Sequence, residues 1–93
     1  MIRSYANAAT RRFVQTGKLS GFPGMDVDKA AELVAALHAA RSLSDISPLK
    51  RVGLHALKGS RKGQWAMTVN AGWRICFRFT DGDALDVEII DYH

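Results

Sequence analysis

In the second half of the chain, apolar residues recur at every other position. Trp65, Met67 and Val69 alternate with Gln64, Ala66, Thr68 and Asn70, and Trp73, Ile75, Phe77 and Phe79 alternate with Arg74, Cys76 and Arg78. A period of two belongs to a strand with one buried face. These runs predict two strands joined at Asn70-Ala71-Gly72. Asp81-Gly82-Asp83 predicts a further turn, and Ala84 to about Asp91 a last strand with Leu85, Val87 and Ile89 on one side.

The first half follows a different period. Ile2 to Tyr5 suits a short strand, and Asn7 can cap a helix running to about Thr16, with Gly17 as its stop. Ser20 to Gly24 reads as a loop. Asp26 then caps a second helix to about Arg41, whose three-four spacing places Val27, Ala30, Ala31, Val34, Leu37 and Arg41 on one face. Ser42 to Pro48 reads as a linker within the domain. The order of these elements predicts an α+β fold: a short N-terminal strand and two helices packed on one face of a small antiparallel-rich sheet. At 93 residues the chain is expected to form one domain over residues 1–93. A chain of this size buries roughly 60–65% of its unfolded surface, enough for a core without a metal or disulfide staple.

Composition adds a charge pattern that the net +4 conceals. Residues 1–25 carry +4, 26–45 carry −2, 46–80 carry +7 with no acid, and 81–93 carry −5 with no base. The basic block suits a polyanion such as nucleic acid, because phosphate neutralisation supplies most sequence-independent affinity. An ordinary solvated basic face, balanced by the acidic tail, accounts for the same numbers. The single cysteine, Cys76, has no internal disulfide partner, which favours a reducing compartment. The opening residues carry no apolar signal segment, and no apolar run approaches the roughly 18–20 residues of a membrane span. A cytoplasmic location without membrane association is therefore expected.

The candidate chemical groups lie in the same half as the strands. They are His55 and Lys58, Arg61 and Lys62 in the adjoining loop, Arg74 and Arg78 on the polar face, and Asp91-Tyr92-His93. Histidine pairs with nearby cations suit metal-free RNA cleavage. In that reaction a base takes the ribose 2′-hydroxyl proton, an acid protonates the leaving 5′ oxygen, and cations stabilise the phosphorane. Plainer readings exist: His55 as a surface histidine, Tyr92 as a sheet-edge aromatic, and Arg74 and Arg78 paired with Asp86 and Glu88 across neighbouring strands. His38 receives no catalytic role, and Cys76 reads as a small packed side chain. No glycine-rich phosphate loop and no zinc-type spacing occurs, so neither cofactor nor metal is expected.

The segments Leu54-His55-Ala56-Leu57-Lys58-Gly59-Ser60-Arg61-Lys62-Gly63-Gln64-Trp65 and Asn70-Ala71-Gly72-Trp73-Arg74-Ile75-Cys76-Phe77-Arg78-Phe79 carry a family resemblance. With Gly82-Asp83-Ala84 and the terminal Asp91-Tyr92-His93, they resemble the HigB group of toxins in the RelE/ParE superfamily. The resemblance implies a RelE-like fold and a type II toxin: a ribosome-dependent endoribonuclease that cleaves translated mRNA in the 30S A site. It also implies a helix-turn-helix antitoxin of the HigA type as partner, with operator DNA contacted only through that antitoxin. The family's functional positions match His55, Lys58, Arg74, Asp91, Tyr92 and His93, with Arg61, Lys62 and Arg78 as RNA-backbone contacts. On this reading His55 and His93 divide acid and base work, Lys58 and Arg74 stabilise charge, Asp91 orients a base, and Tyr92 stacks on or hydrogen-bonds the nucleotide. In an extended strand Asp91 and His93 share a face and Tyr92 points away, so all three meet one substrate only if the strand ends or bends at Tyr92. Two alternatives are a ParE-like gyrase poison and a non-enzymatic RNA-binding module.

Overall fold

The longest hairpin of the protein is closed by the Asp-Gly turn. Asp81 and Gly82 both adopt positive φ, 52° and 81°, the conformation that lets a two-residue loop follow the right-handed twist of its strands. We describe the fold from a computed structural model covering residues 1–18, 21–46 and 53–91. Ser20 of the predicted loop, Ser47 and Pro48 of the predicted linker, and Tyr92 and His93 lie outside the described residues.

Helix α1 spans Ala8–Thr16, with the Asn7 side chain accepting from the Thr10 amide at 2.8 Å and Gly17 closing it in the left-handed region. Helix α2 spans Val27–Ala39, capped by the Asp26 carboxylate on the Lys29 amide at 3.1 Å. It ends two residues short of Arg41. The Asp45 carboxylate accepts from the amides of Arg41 and Ser42, at 2.8 and 3.2 Å, and draws the chain into a single 3₁₀ turn over Leu43–Asp45. The predicted linker thus begins with ordered structure.

Strands β1 (His55–Ala56), β2 (Trp65–Thr68), β3 (Trp73–Thr80) and β4 (Asp83–Asp91) form one antiparallel sheet in the order β1-β2-β3-β4. The expected N-terminal strand is only two isolated parallel bridges, Ile2 to Ala84 and Tyr5 to Val87. Its amides and carbonyls alternate with those of β4, as in Arg3 to Ala84 and Val87 to Ser4. Regular pairing stops between them because β4 bulges: Asp86 and Val87 together oppose the single residue Phe77, and Asp86 takes a φ of 54°. The Ser4 hydroxyl accepts from the Asp86 amide at 2.8 Å. The extra residue also reverses the side-chain alternation. Ala84, Val87 and Ile89 are buried, whereas Leu85 pairs with Arg78 and leaves the face predicted for it.

Both helices cover one face of the sheet. Leu33, Leu37, Met67, Ile75, Phe77 and Val87 form its packed centre, each contributing about 1.5–3 kcal/mol of apolar burial. Phe22 joins Phe13 to Trp73 through edge contacts with ring centroids 5.6 and 5.7 Å apart. Ala30, Val34 and Leu37 of the predicted α2 stripe are buried, and Leu33 joins them. Ala31 instead opens onto a groove of about 630 Å³ between the helices. Among the described residues no helix is long and apolar enough to cross a membrane.

One buried polar contact fastens α1 to the sheet edge. The Thr10 hydroxyl, fully buried, accepts from the Ile89 amide at 3.0 Å. Thr10→Val keeps the shape and leaves that amide unpaired, so it is expected to lower unfolding stability by about 1–3 kcal/mol in urea titration. An unshifted midpoint would show that the contact contributes nothing.

Candidate active site on the face turned from the helices

Strand register places the candidate residues in rows. His55 pairs with Ala66, Ala66 with Cys76 and Cys76 with Glu88, so these four share the sheet face opposite the helices. The adjacent row carries Thr68, Arg74 and Ile90. Ala66 and Cys76 are almost fully buried, and as small side chains they make a low floor over which longer neighbours reach. A small cleft of about 30 Å³ sits there, lined by His55, Leu57, Ala66, Arg74 and Cys76.

Two of the predicted site residues therefore meet at one cleft: His55 and Arg74. The His55 ring is held by its own loop, with Nδ1 2.7 Å from the Gly53 carbonyl oxygen. A carbonyl only accepts, so Nδ1 carries the hydrogen and Nε2 is the nitrogen left to exchange a proton. Gly53 makes this geometry possible. It has a φ of 61°, and a Cβ there would lie 3.0 Å from Thr68 Oγ1. Arg74 is half-buried, its Nη1 donating to the carbonyls of Ala71 and Trp73 at 2.8 and 3.0 Å. These bonds use one of its three nitrogens and tie the guanidinium to the end of the β2–β3 turn.

Lys58 and Lys62 flank the 3₁₀ turn Gly59–Arg61 and are exposed. Arg61 points inward, donating from Nη1 to Glu88 at 3.0 Å and to Gln64 at 3.1 Å. Arg78 pairs with Asp86 at 3.5 Å. The predicted cross-strand pairing thus holds for Arg78, while Glu88 takes Arg61 as its partner. Asp91 stands opposite Trp73, on the pleat that faces the helices, whereas Arg74 stands opposite Ile90. Within the ladder, Asp91 and Arg74 therefore occupy opposite faces. Tyr92 and His93 fall outside the described residues. His38, given no catalytic role, accepts the Ile2 amide on Nδ1 at 3.2 Å. Among the described residues no three His, Cys, Asp or Glu side chains cluster as a metal would require.

Sequence reasoning missed Gly53, whose left-handed backbone is invisible before the loop is built. It also missed the Arg61–Glu88 pair, whose partners are separated by 27 positions. The polar-face alternation did single out Cys76. Its thiol pKa is raised from the ordinary 9.0, chiefly by burial and secondarily by Glu88, with Arg61 and Arg74 pulling the other way.

The raised thiol has a stability consequence. The folded protein keeps the Cys76 proton at pH values where the unfolded chain loses it, so this stabilisation is complete below about pH 9 and fades as pH rises further. Cys76→Ala is expected to flatten the alkaline limb of a denaturation-versus-pH profile; an identical limb in both proteins would exclude the thiol as its source. Gly53→Ala should cost about 1–3 kcal/mol of stability through backbone strain. In imidazole nitrogen NMR it should also convert a single Nδ1–H tautomer of His55 into a mixture, and a retained single tautomer would contradict the role given to the Gly53 carbonyl.

A family model described as the RelE-like toxin of type II toxin–antitoxin system HigB matches residues 3–93. Endoribonuclease HigB of Proteus vulgaris is 37% identical over 93 residues, covering the whole of both chains. On these matches, the chain belongs to the HigB-like family of RelE-like toxins of type II toxin–antitoxin systems.

Proposed function

We propose that this toxin is an endoribonuclease that cleaves translated mRNA in the ribosomal A site and is neutralised by a helix-turn-helix antitoxin of the HigA type. The observation that carries the reading is the meeting of His55 and Arg74 at one cleft beside an exposed pair of lysines. The name of the Proteus vulgaris relative, Endoribonuclease HigB, supports the same activity. The reaction and its reducing, cytoplasmic setting are consistent with one free cysteine that is buried.

The chemistry needs two proton carriers. One takes the 2′-hydroxyl proton as O2′ attacks phosphorus, and the other protonates O5′ as the P–O5′ bond breaks, leaving a 2′,3′-cyclic phosphate and a 5′-hydroxyl. His55, with Nε2 available, is one carrier, and His93 is the other. Arg74 and Lys58 stabilise the phosphorane charge. Lys62 and Arg78 neutralise flanking phosphates. Asp91 orients a base from the last rung of β4, and Tyr92 stacks on or hydrogen-bonds the nucleotide. Asp91 leaves the ladder on the face opposite Arg74, so on this reading the base it orients is His93, its near neighbour in sequence.

Deletion of His93 and His55→Ala should each lower cleavage of ribosome-bound mRNA by about 10²–10⁴-fold, the range of a lost proton-transfer group. Ribosome and antitoxin binding should persist. Mapping mRNA ends after brief expression reads the outcome: codon-phased cuts in wild type that vanish in the variants support the assignment. Undiminished cuts in the variants defeat the two-histidine scheme, and intact transcripts accompanied by DNA-damage signalling point to gyrase instead.

A further inference from the structure

The basic turn between β1 and β2 is held locally by backbone bonds. Leu57 N–H to Gln64 O at 2.9 Å joins its ends, and three bonds lie within it: Arg61 N–H to Lys58 O, Lys62 N–H to Gly59 O, and Gln64 N–H to Arg61 O, at 3.4, 3.1 and 3.0 Å. Lys58, its N-terminal residue, makes no side-chain cap. Gly59 and Gly63 both sit at positive φ, 67° and 94°, positions at which the chain has wide conformational freedom. Left to these bonds, the two lysines would sample many directions, and each would lose entropy on meeting phosphate.

One ion pair fastens the turn to a distant strand. Arg61 reaches Glu88 on β4, and the small side chains of Ala66 and Cys76 occupy the register positions leading from β2 to Glu88. This is the most enclosed side-chain ion pair among the described residues, with 30% and 23% of the two side chains exposed, against 42% and 52% for Arg78 and Asp86. Gln64 accepts a second bond from the same guanidinium nitrogen. Arg78 borders the turn: its Nη1 lies 2.8 Å from where a Cβ of Gly63 would stand, so only a bare glycine fits there. The turn is thus pinned at Arg61, and the exposed lysines lie on either side of it.

We infer that Glu88 is a positioning residue for RNA binding: by holding Arg61 to the sheet it fixes the turn that presents Lys58 and Lys62 to phosphate, and Arg61 serves as anchor rather than as an RNA contact. This rests on the endoribonuclease reading above. Glu88 touches neither substrate nor the reacting atoms. Its carboxylate instead keeps a flexible basic loop in one pose, so its loss acts on substrate capture more than on the chemical step.

The test is a charge exchange on the full chain, with cleavage measured on ribosomes programmed with mRNA. Glu88→Gln should raise KM about tenfold and leave kcat within about threefold of wild type. Amide hydrogen exchange over residues 58–64 should accelerate, with an unchanged global melting temperature. Arg61→Glu should behave similarly or worse, because it also sets two carboxylates face to face. The double exchange Arg61→Glu with Glu88→Arg should restore KM to within about threefold of wild type and slow the exchange again. If the double variant stays as defective as Arg61→Glu alone, Arg61 contacts RNA directly and the inference is wrong. If Glu88→Gln leaves both KM and the exchange of the turn unchanged, the anchor has no role. A wild-type protein that cuts no ribosome-bound mRNA overturns the endoribonuclease reading itself, and is distinguished from failure of the anchor by that control alone.

Discussion

The pleat of β3 is the constraint on which the remaining features depend. Trp73, Ile75 and Phe77 project toward α1 and α2 and are buried there, and the strict alternation of a strand sends Arg74, Cys76 and Arg78 to the other side. Burying the first set fixes the register of β3 against β2 and β4, since a slip by one residue would carry Arg74 into the core and Ile75 into solvent. The rows that join His55 to Ala66, Cys76 and Glu88 follow from that register. The helices therefore position the candidate site without touching it, through the apolar side of a strand whose polar side faces away.

The sheet ends are held by polar contacts in addition to apolar area. Asn70 joins the β2–β3 turn to the entrance of α2, donating to the Gly24 carbonyl at 3.0 Å and accepting the Asp26 amide at 2.7 Å. The Trp73 indole donates to the Pro23 carbonyl at 3.1 Å. At the opposite edge, the N-terminal segment and Thr10 take up the outward amides of β4, including the bulged Asp86. An exposed strand edge is thereby covered. The bulge brings Asp86 within ion-pair distance of Arg78, which links the edge arrangement to the basic turn.

Local signals carried the helices and turns well. Asn7 and Asp26 as caps and Gly17 as a stop each depend on a few adjacent atoms and appear as expected, and the turn expected over Asp81-Gly82-Asp83 is there but shorter, with Asp83 already in β4. The polar face of β3 was equally legible, because alternation is a local property of the strand. Legibility declined where one position depended on another far along the chain. Counting by twos from Val87 puts Leu85 on the core face, and the count fails at a bulge that the N-terminal segment helps to satisfy. Arg61 reads from the sequence as a loop cation and RNA-backbone contact, and only the packing of β4 beside β3 gives it an acidic partner.

The sequence by itself determined the class of fold, the division of β3 into apolar and polar faces, the basic character of the central block and the family resemblance that the comparisons support. Each of these is written in residue type and short spacing, which survive without a three-dimensional frame. Tertiary structure decided that His55 and Arg74 share a cleft, that Gly53 sets the His55 tautomer, that Asp91 leaves the ladder on the opposite face, and that Glu88 takes Arg61. The physical reason is common to all four. Strand register, a bulge and a left-handed glycine rotate side chains by whole faces, and those rotations are set by which buried groups must be packed and which amides must be paired.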